Sequence, residues 1–301
     1  MLDPLAQVVT LLKPGASLSK IVSGAGAWRV RRSVSGQPFY CAILEGGSRL
    51  SVAGHSTITL QAGDFVLIPA AYDFTMMSLE PMADDAVDTQ PVEVRPRDIR
   101  LGTRDVPHDA QLLVGHCTFG SPDAALLVSL LPQLIHVRGA RRLAMLVELV
   151  TEEARGQRPA RDVILAHLLE VLFIEALRAT ATESAPAGLL RGLGDERLAL
   201  AIRRMHEQPN RSWTVTQLAR EAALSRSTFF ERFKQALGMA PMAYLLAWRM
   251  ALAKNLLRAR DESMADIAQR VGYSSVSAFS VAFTRYTGLA PGRYSREKIA
   301  G

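Results

Sequence analysis

The string Thr216-Gln217-Leu218-Ala219-Arg220-Glu221-Ala222-Ala223-Leu224-Ser225 is followed by Phe229, Phe233 and Gly238. About 50 residues later a related string reads Met264-Ala265-Asp266-Ile267-Ala268-Gln269-Arg270-Val271-Gly272-Tyr273-Ser274, followed by Phe279, Phe283 and Gly288. In each copy, small residues on one face of a short helix let a second helix cross it closely. Serines in the turn (Ser225; Ser274 or Ser275) can cap the next helix by accepting a hydrogen bond from its free backbone N–H groups, and phenylalanines four apart hold that helix by one stripe. Each copy therefore predicts a helix-turn-helix, the unit that lays its second helix in the major groove of DNA.

The duplication favours DNA binding over the alternative of a helical bundle that uses the same packing for protein contacts. Between the copies, Pro241 to Leu257 predicts one helix, because proline is tolerated in a first turn and Tyr244, Leu245, Trp248, Leu252 and Leu256 recur at helical spacing. About 17 residues at about 1.5 Å each give a strut of about 25 Å. With side-chain width added, this rod can hold two recognition helices at the roughly 34 Å that separates successive major-groove faces.

These motifs resemble the DNA-binding domain of AraC/XylS-type bacterial transcription regulators. The resemblance also rests on Trp248-Arg249-Met250 and on the ending Gly288-Leu289-Ala290-Pro291-Gly292-Arg293-Tyr294, and it covers about 100 residues. It implies that Arg226, Ser227, Phe230 and Glu231 face the bases. It also implies that the protein activates transcription through contacts with RNA polymerase, although repression by occlusion would use the same parts.

The apolar stripes define an outward, groove-facing side for each recognition helix. In the first helix Phe229, Phe233 and Leu237 face inward, and in the second Phe279, Phe283 and Tyr286 do so. The outward residues are Arg226, Ser227, Thr228, Phe230, Glu231 and Lys234 in the first helix, and Ser275, Val276, Ser277, Ser280, Val281, Thr284 and Arg285 in the second. Arg226 can pair with guanine and Glu231 can accept from cytosine, whereas valines can only touch a thymine methyl. We therefore expect the first helix to specify most of the sequence and the second to position the protein, through Arg285 and backbone contacts.

Positive charge is concentrated in the last third of the chain. From Asp195 onward there are 17 Lys and Arg against 9 Asp and Glu, or +8, whereas the first 194 residues carry 18 against 20, or −2. This excess predicts DNA affinity that falls steeply with salt, because binding releases counterions. The sequence has no apolar run of membrane-spanning length and no signal-peptide layout at its start, so we expect a cytoplasmic protein that is nucleoid-associated when bound to DNA.

The first 121 residues predict a small antiparallel β-barrel or jelly roll. A short helix (3–12) precedes short alternating runs at 28–33, 39–44, 49–52, 57–60, 65–68, 74–79 and 112–119, and the acidic stretch 81–91 is expected to be a loop. The string Gly63-Asp64-Phe65-Val66-Leu67-Ile68-Pro69 resembles the second half of the cupin signature. Cupin metal sites need clustered His and carboxylate ligands, yet Phe74 stands where the last His would be and His55 stands alone. We therefore expect no metal, no cofactor and no enzyme activity.

The mouth of this barrel is the expected site for a small-molecule effector. Candidate lining residues are Trp28, Phe39, Cys41, Phe74, Met76 and His116, although alternation alone does not establish which face points inward. The two cysteines, Cys41 and Cys117, either form a redox pair on neighbouring strands or fill space as buried thiols.

After the barrel, three helices are predicted at 124–137, 140–155 and 162–180. The third has a broad apolar face (Leu165, Leu168, Leu169, Leu172, Phe173, Leu177), which indicates either a homodimer contact or plain core packing. The predicted organisation is thus α+β with two domains: a cupin-like β-barrel (1–121) with a helical dimerisation segment (122–182), a linker (183–194), and an all-α tandem helix-turn-helix domain (195–301). Within that last domain the motifs lie at 214–237 and 264–287, joined by a helix at 240–257.

These features together predict an effector-responsive transcription regulator that binds double-stranded promoter DNA, forms a homodimer and does not involve a membrane. Two alternatives from other classes stay open. One is a cupin-type enzyme fused to a DNA-binding domain, which bound iron or manganese would indicate. The other is an architectural protein that binds all DNA sequences alike.

Overall fold

The computed structural model describes residues 3–32, 38–70, 73–82, 87–121, 124–180 and 187–296. These residues form two compact units. The sheet unit comprises Pro14–Thr118 and Gln133–Thr180, and the helical unit comprises Met1–Lys13, Phe119–Pro132 and Ala181–Gly301. The predicted α+β class, with a sheet-rich N-terminal part and a helical C-terminal part, is confirmed.

The sheet unit is built from two sheets. Its strands are β1 Pro14–Ala25, β2 Arg29–Arg32, β3 Phe39–Glu45, β4 Gly47–Val52, β5 Ile58–Gln61, β6 Phe65–Ile68, β7 Phe74–Met77, β8 Val92–Arg95, β9 Asp98–Gly102, β10 Ala110–Phe119 and β11 Ile135–Val137. One sheet has the order β11-β6-β3-β10-β1-β9-β8 and the other β2-β7-β4-β5. Strand β1 pairs with β9 in parallel, whereas β3 pairs with β10 and β6 in antiparallel register.

Apolar side chains from both sheets form the core of this unit. Cys41 and Val66 of the first sheet and Leu50 and Leu60 of the second are fully buried in the same cluster. Burying apolar area of this kind is the main favourable term in folding. The two sheets are therefore held together through their inner faces. Burial alternates along β7 and β9, whereas β6 is buried on both faces.

Two helices, α3 Arg141–Arg155 and α4 Arg161–Ala179, pack on each other and on β1. Their bounds lie within a residue of those predicted. Leu165, Leu169, Leu172, Phe173 and Leu177 of α4 are buried inside the sheet unit. For this face, core packing is therefore the correct alternative, because its own chain already covers it.

The sequence analysis missed four strands, and one helix that it predicted is wrong. The strands are β1, β8, β9 and β11. The helix predicted at 124–137 is helical only over α2 Ala124–Val128, and its end is strand β11. Ile135 and Val137 point into the unit while β11 pairs with Phe65–Leu67 of β6, so a sheet edge decided the conformation of this apolar run.

The helical unit contains α1 Pro4–Leu12, α2, α5 Leu189–Gly194, α6 Glu196–Glu207, α7 Val215–Glu221, α8 Arg226–Leu237, α9 Pro241–Ala259, α10 Met264–Arg270, α11 Val276–Thr287 and α12 Pro291–Arg296. The linker predicted at 183–194 is wrong over its second half, because Leu189 and Leu190 are buried in α5. Residues 183–186 lie outside the described residues. Within the described ranges no single helix is long and apolar enough to span a membrane; α8 and α9 meet that test only as a pair bent by 54°.

Helix α1 belongs to the helical unit, which corrects the predicted barrel boundary of 1–121. The side chain of Asp3 caps α1 by accepting from the N–H of Leu5, and Val8 and Leu12 are fully buried. The helix contacts α2 and α6, and α2 in turn contacts α9. Residues before and after the strands β1–β10 therefore complete the core of the C-terminal module.

A buried polar chain fixes α1 to this core. The Nδ1 atom of His206 in α6 lies 2.9 Å from the Gln7 amide oxygen of α1, and its Nε2 atom lies 2.6 Å from the Tyr244 hydroxyl of α9. The His206 ring also stacks on Trp248, with centroids 3.8 Å apart. These partners fit a neutral imidazole that donates from Nδ1 and accepts at Nε2. Burial lowers the pKa of His206 to about 3.

We expect the helical unit to lose about 2 kcal/mol of stability between pH 7 and pH 5 because of His206. The unfolded chain protonates this side chain below about pH 6.5, whereas the folded chain resists protonation down to about pH 3, so stability falls as the pH drops through that window. Urea unfolding at a series of pH values measures the slope. His206→Gln should flatten it, and the same change at exposed His167 should not; equal slopes in all three proteins would contradict the assignment.

Candidate nucleic-acid interface

The first helix-turn-helix consists of α7 and α8. Thr214 and Gln217 form a reciprocal capping box at the start of α7. The turn bends through Ala223, which has a φ of 50°, and the N–H of Leu224 donates to the Ala219 carbonyl at 2.9 Å. Ser225 caps α8 by accepting from the N–H of Thr228 at 3.1 Å. Local capping therefore fixes where α8 begins and in which direction it leaves the turn.

The second motif, α10 and α11, repeats this construction. Ser263 caps α10, Gly272 bends the turn with a φ of 84°, and the N–H of Tyr273 donates to the Ala268 carbonyl at 2.9 Å. Of the two serines that the sequence offered as caps, Ser275 is the one used: it accepts from the N–H of Ala278 at 3.1 Å. The turn is one residue longer than in the first motif, since Ser275 follows Gly272 by three positions and Ser225 follows Ala223 by two.

The outward sides of α8 and α11 are those expected from the apolar stripes. Phe229, Phe233, Phe279 and Phe283 are fully buried. Of the predicted groove-facing residues, eleven are exposed (Arg226, Ser227, Thr228, Glu231, Lys234, Ser275, Val276, Ser277, Val281, Thr284, Arg285) and two are half-buried (Phe230, Ser280). The charged members of this set form no ion pair within the described part of the chain, so their charge is available to a partner.

One side chain on these helices differs from the inward assignment, and Arg232, which was assigned to neither side, pairs with a residue of α6. Tyr286 is 38% exposed, so its predicted inward position is wrong: it stands three residues after Phe283 and lies at the edge of the buried stripe. Arg232 of α8 forms an ion pair with the buried carboxylate of Asp195, which caps α6. Arg232 therefore braces the first motif against α6.

The connecting helix α9 belongs to the cores of both motifs. Near its start, the Tyr244 ring meets Phe233 of α8 edge-on, with centroids 5.8 Å apart. Near its end, Met250, Ala253 and Leu257 pack in one cluster with Phe279 and Phe283 of α11. The helix has 19 residues, or about 28 Å at about 1.5 Å per residue. Both recognition helices are thus anchored to one continuous rod.

Arg249, at the middle of α9, ties the two motifs together, and the sequence analysis did not identify it. Its Nε donates to the Pro209 carbonyl at 2.6 Å and its Nη2 to the Arg211 carbonyl at 2.8 Å, both in the loop before the first motif. The same guanidinium packs against Gly272 in the turn of the second motif. A Cβ added at Gly272 would lie 2.7 Å from Nη2 of Arg249. The bare Gly272 is therefore required for this contact.

We expect Gly272→Ala to destabilise the helical unit more than Gly288→Ala. Both glycines have a positive φ, near 80°, so each alanine costs about 1 kcal/mol of backbone strain. The Cβ at position 288 would meet nothing within 4 Å, whereas at position 272 it would also displace Arg249. Urea unfolding and binding to a duplex with both DNA segments measure the difference. Equal losses in the two variants would show that Arg249 does not hold the motifs in register.

A cavity of about 170 Å³ opens between the two sheets of the sheet unit. Four of the six predicted lining residues, Trp28, Phe39, Phe74 and Met76, do line it. The other two do not: Cys41 is fully buried in the core, and His116 lies beside the cavity with its ring centroid 5.8 Å from that of Phe39. The sequence analysis missed the remaining lining residues, namely Lys20, Val22, Val30, Arg32, Pro91, Ile99, Leu101, Leu112 and Val114.

The polar groups of the cupin-like string have structural partners. Burial would raise the pKa of Asp64, but hydrogen bonds from Arg138 (2.8 and 2.7 Å) and from the Gln61 N–H, together with the nearby His136 ring, lower it to about 2. The Nε2 atom of His55 lies 3.1 Å from Oε1 of Gln133, and the Nε2 atom of His108 lies 3.2 Å from Oε2 of Glu45. Burial raises the pKa of Cys41, and the side chain of Cys117 lies outside the described residues. Among the described residues no three His, Cys, Asp or Glu side chains are grouped as metal ligands would be.

Comparison with known proteins covers both units. A family described as Cupin matches residues 3–182, and one described as Helix-turn-helix domain matches residues 218–297. A putative AraC-like transcription regulator of Streptomyces lividans is 36% identical, over 98% of this chain and 98% of that protein. The HTH-type transcriptional regulator AlkR of Acinetobacter baylyi is 30% identical, over 98% and 100%. The DNA-binding domain of AdpA, solved with a target DNA, is 30% identical over 33% of this chain and 88% of that chain, with a TM-score of 0.31.

Proposed function

This chain belongs to the AraC-type DNA-binding transcription regulators, and we propose that it reads two successive major-groove segments of a promoter under the control of a small effector. The observation that carries the proposal is the anchoring of α8 and α11 on one helix, α9, with Arg249 bridging the two motifs. A pair of readers at a fixed separation recognises a fixed spacing between DNA segments, because the protein cannot adjust the distance.

In this proposal the two recognition helices, α8 and α11, contribute unequally to sequence specificity. Arg226 and Glu231 are exposed on α8 and can hydrogen-bond to base edges, whereas the corresponding positions of α11 hold Val276 and Val281, which are also exposed and cannot do so. Val281 is 68% exposed, an unfavourable position for an apolar side chain in water, which a thymine methyl would cover. Lys234 and Arg285 supply contacts to phosphates.

In this proposal the effector binds in the cavity of the sheet unit. Effector binding then activates transcription through contacts with RNA polymerase. The cavity is apolar and preformed, as small-molecule sites commonly are. A ligand can change DNA binding only through a difference in its affinity for two states of the protein. The chain connections from β1 to α1 and from β10 to α2 offer a direct route, because both helices belong to the helical unit.

We also propose a homodimer, formed by a face other than the one first expected. Met145 and Leu149 of α3 and Val163, Ile164 and Val171 of α4 are large apolar side chains between 43% and 57% exposed. Covering them would remove apolar surface from water. Sedimentation of the full chain, compared with a variant carrying Met145→Glu and Leu149→Glu, measures whether this face associates.

The DNA-reading proposal is tested by selecting binding sites for the full chain from a random duplex library. We expect selected duplexes to share two conserved segments whose centres lie about one helical turn, or about 10 base pairs, apart. Insertion of about five base pairs between the segments should abolish tight binding, because it places them on opposite sides of the duplex. Recovery of no shared sequence would identify a general architectural protein instead.

A further inference from the structure

Among the residues that the structure describes, the wall of the sheet-unit cavity carries charge of only one sign. Lys20 of β1 and Arg32 of β2 are its charged residues, and the other residues that line it are apolar. Neither side chain forms an ion pair or a side-chain hydrogen bond within the part of the chain that the structure describes. Two cations at one largely apolar cavity, with no acidic residue among the described residues that line it, repel each other and would gain from a bound anion.

The positive charges of Lys20 and Arg32 both affect the pKa of His116. Burial first, and then the positive charges of Arg32 and Lys20, lower the pKa of His116, while a hydrogen bond to the Pro38 carbonyl opposes this. Both charges therefore lie within electrostatic reach of one imidazole, whose ring packs beside Phe39 on the cavity wall. The cavity thus has a positively charged end and an apolar remainder formed by both sheets.

The cavity wall also holds a buried donor. Trp28 is fully buried, and its indole N–H has no hydrogen-bond partner among the described residues. The nitrogen fills the space that a side chain at Gly24 would occupy, 2.3 Å from an added Cβ. An unpaired buried donor is unfavourable, and this one lies against Gly24 beside the cavity that the Trp28 ring lines.

We propose that this cavity binds a small organic monocarboxylate, with the apolar body between the sheets and the carboxylate between Lys20 and Arg32. The proposal rests on the effector role given to the cavity above and names the chemistry of that effector. A sugar would leave many hydroxyl groups without partners against this wall, and an organic cation would meet two like charges. A neutral hydrocarbon would leave both cations unmatched.

The size of the cavity limits the apolar body. Its volume of about 170 Å³ is close to that of an engineered protein cavity of about 150 Å³ that binds benzene. The fitting ligands therefore carry a single ring or a short chain. A long-chain fatty acid would exceed the cavity unless the sheets moved apart.

The test measures binding of three matched pairs to the full chain by titration calorimetry and thermal shift. Each pair joins a carboxylate to its neutral amide: benzoate and benzamide, cyclohexanecarboxylate and its amide, and hexanoate and hexanamide. We expect at least one acid to bind at least about tenfold more tightly than its amide, since hydrogen bonds between charged groups are stronger than those to a neutral group. Lys20→Met and Arg32→Gln should each weaken the acid about tenfold and leave amide binding unchanged.

Two further variants serve as controls. Arg104→Gln removes an exposed arginine of the same unit that does not line the cavity, and it should leave acid binding unchanged. Val114→Phe fills the cavity and should abolish binding of both members of a pair. Equal affinity for acid and amide, no binding of any acid at millimolar concentration, or equal losses from Arg32→Gln and Arg104→Gln would overturn the proposal. DNA-site selection is measured separately, so the failure of one proposal is distinguishable from the failure of the other.

Discussion

Replacing Leu12 by alanine is expected to lower the free energy of unfolding of the helical unit by about 3 kcal/mol, although Leu12 lies more than 180 residues before α6 in the sequence. The side chain is fully buried, and helix α1 contacts α2 and α6. Truncating a buried leucine removes its hydrophobic contribution and leaves a cavity behind. The chain has three tryptophans, of which Trp213 and Trp248 lie in the helical unit. Fluorescence in a Trp28→Phe background therefore reports urea unfolding of this unit alone.

The matched control for this prediction is Thr10→Ala on the same helix. Thr10 is exposed, and its hydroxyl donates to the Ala6 carbonyl within α1, so we expect a change below about 0.5 kcal/mol. Leu12→Ala should also weaken DNA binding, because part of the population would be unfolded or would have α1 detached. If the two alanine variants unfold alike when Trp213 and Trp248 are observed, α1 is not part of the core of the helical unit.

Replacing Arg226 by alanine is expected to weaken binding to the selected DNA site by about 10- to 100-fold, or about 1–3 kcal/mol. Arg226 is exposed at the start of α8, and α8 is held by the Ser225 cap and by Phe229 and Phe233. An arginine placed there reaches base edges with a bidentate guanidinium. The loss should be concentrated at one base position, so competition with site variants should show relaxed preference there.

The control for Arg226 is Arg197→Ala, which removes the same charge from an exposed position on α6. Arg197 lies outside both recognition helices, so its loss should weaken all DNA sequences slightly and equally. A second comparison tests the inequality of the two readers: base changes under α8 should reduce affinity more than base changes under α11. Comparable losses under both helices would reject it, whatever the result for Arg226.

The helix-turn-helix motifs were predictable because their determinants are local. Ser225 and Gly238 stand at the two ends of α8, and Phe229 and Phe233 mark its buried side within the same few turns. Tyr286 shows the limit of this reasoning, since a stripe of two phenylalanines does not establish how far around the helix the burial extends. Packing against neighbouring elements determines how far around the helix the side chains are buried.

What the sequence did not reveal depends on contacts between distant segments. Arg249 has an ordinary place in a helical pattern, and only the fold brings it to Pro209, Arg211 and Gly272. Strand β8 alternates poorly because most of it is exposed, and β9 gains its conformation by pairing with β1, far away in the chain. The apolar run at 124–137 fits a helix and a strand equally well until β6 offers Phe65–Leu67 as a partner.

For a related reason, the sequence analysis identified only some of the residues that line the cavity. Alternation within one strand separates two faces without showing which one is inside, so Cys41 and His116 were included while Lys20 and Arg32 were overlooked. Charged residues are usually assigned to solvent, and the recognition of these two required the second sheet to be in place. The charge of the cavity is thus a property of the folded unit.

Docking of α1 on the C-terminal module has a consequence for the order in which the protein can mature on the ribosome. Helix α1 finds its partner α6 only after more than 180 further residues have been made, a delay of about 10–40 s at about 5–20 residues per second. During that interval the apolar side of α1 lacks part of its final cover and stays exposed to aggregation. The helical unit can therefore complete its core only after α6 has been made.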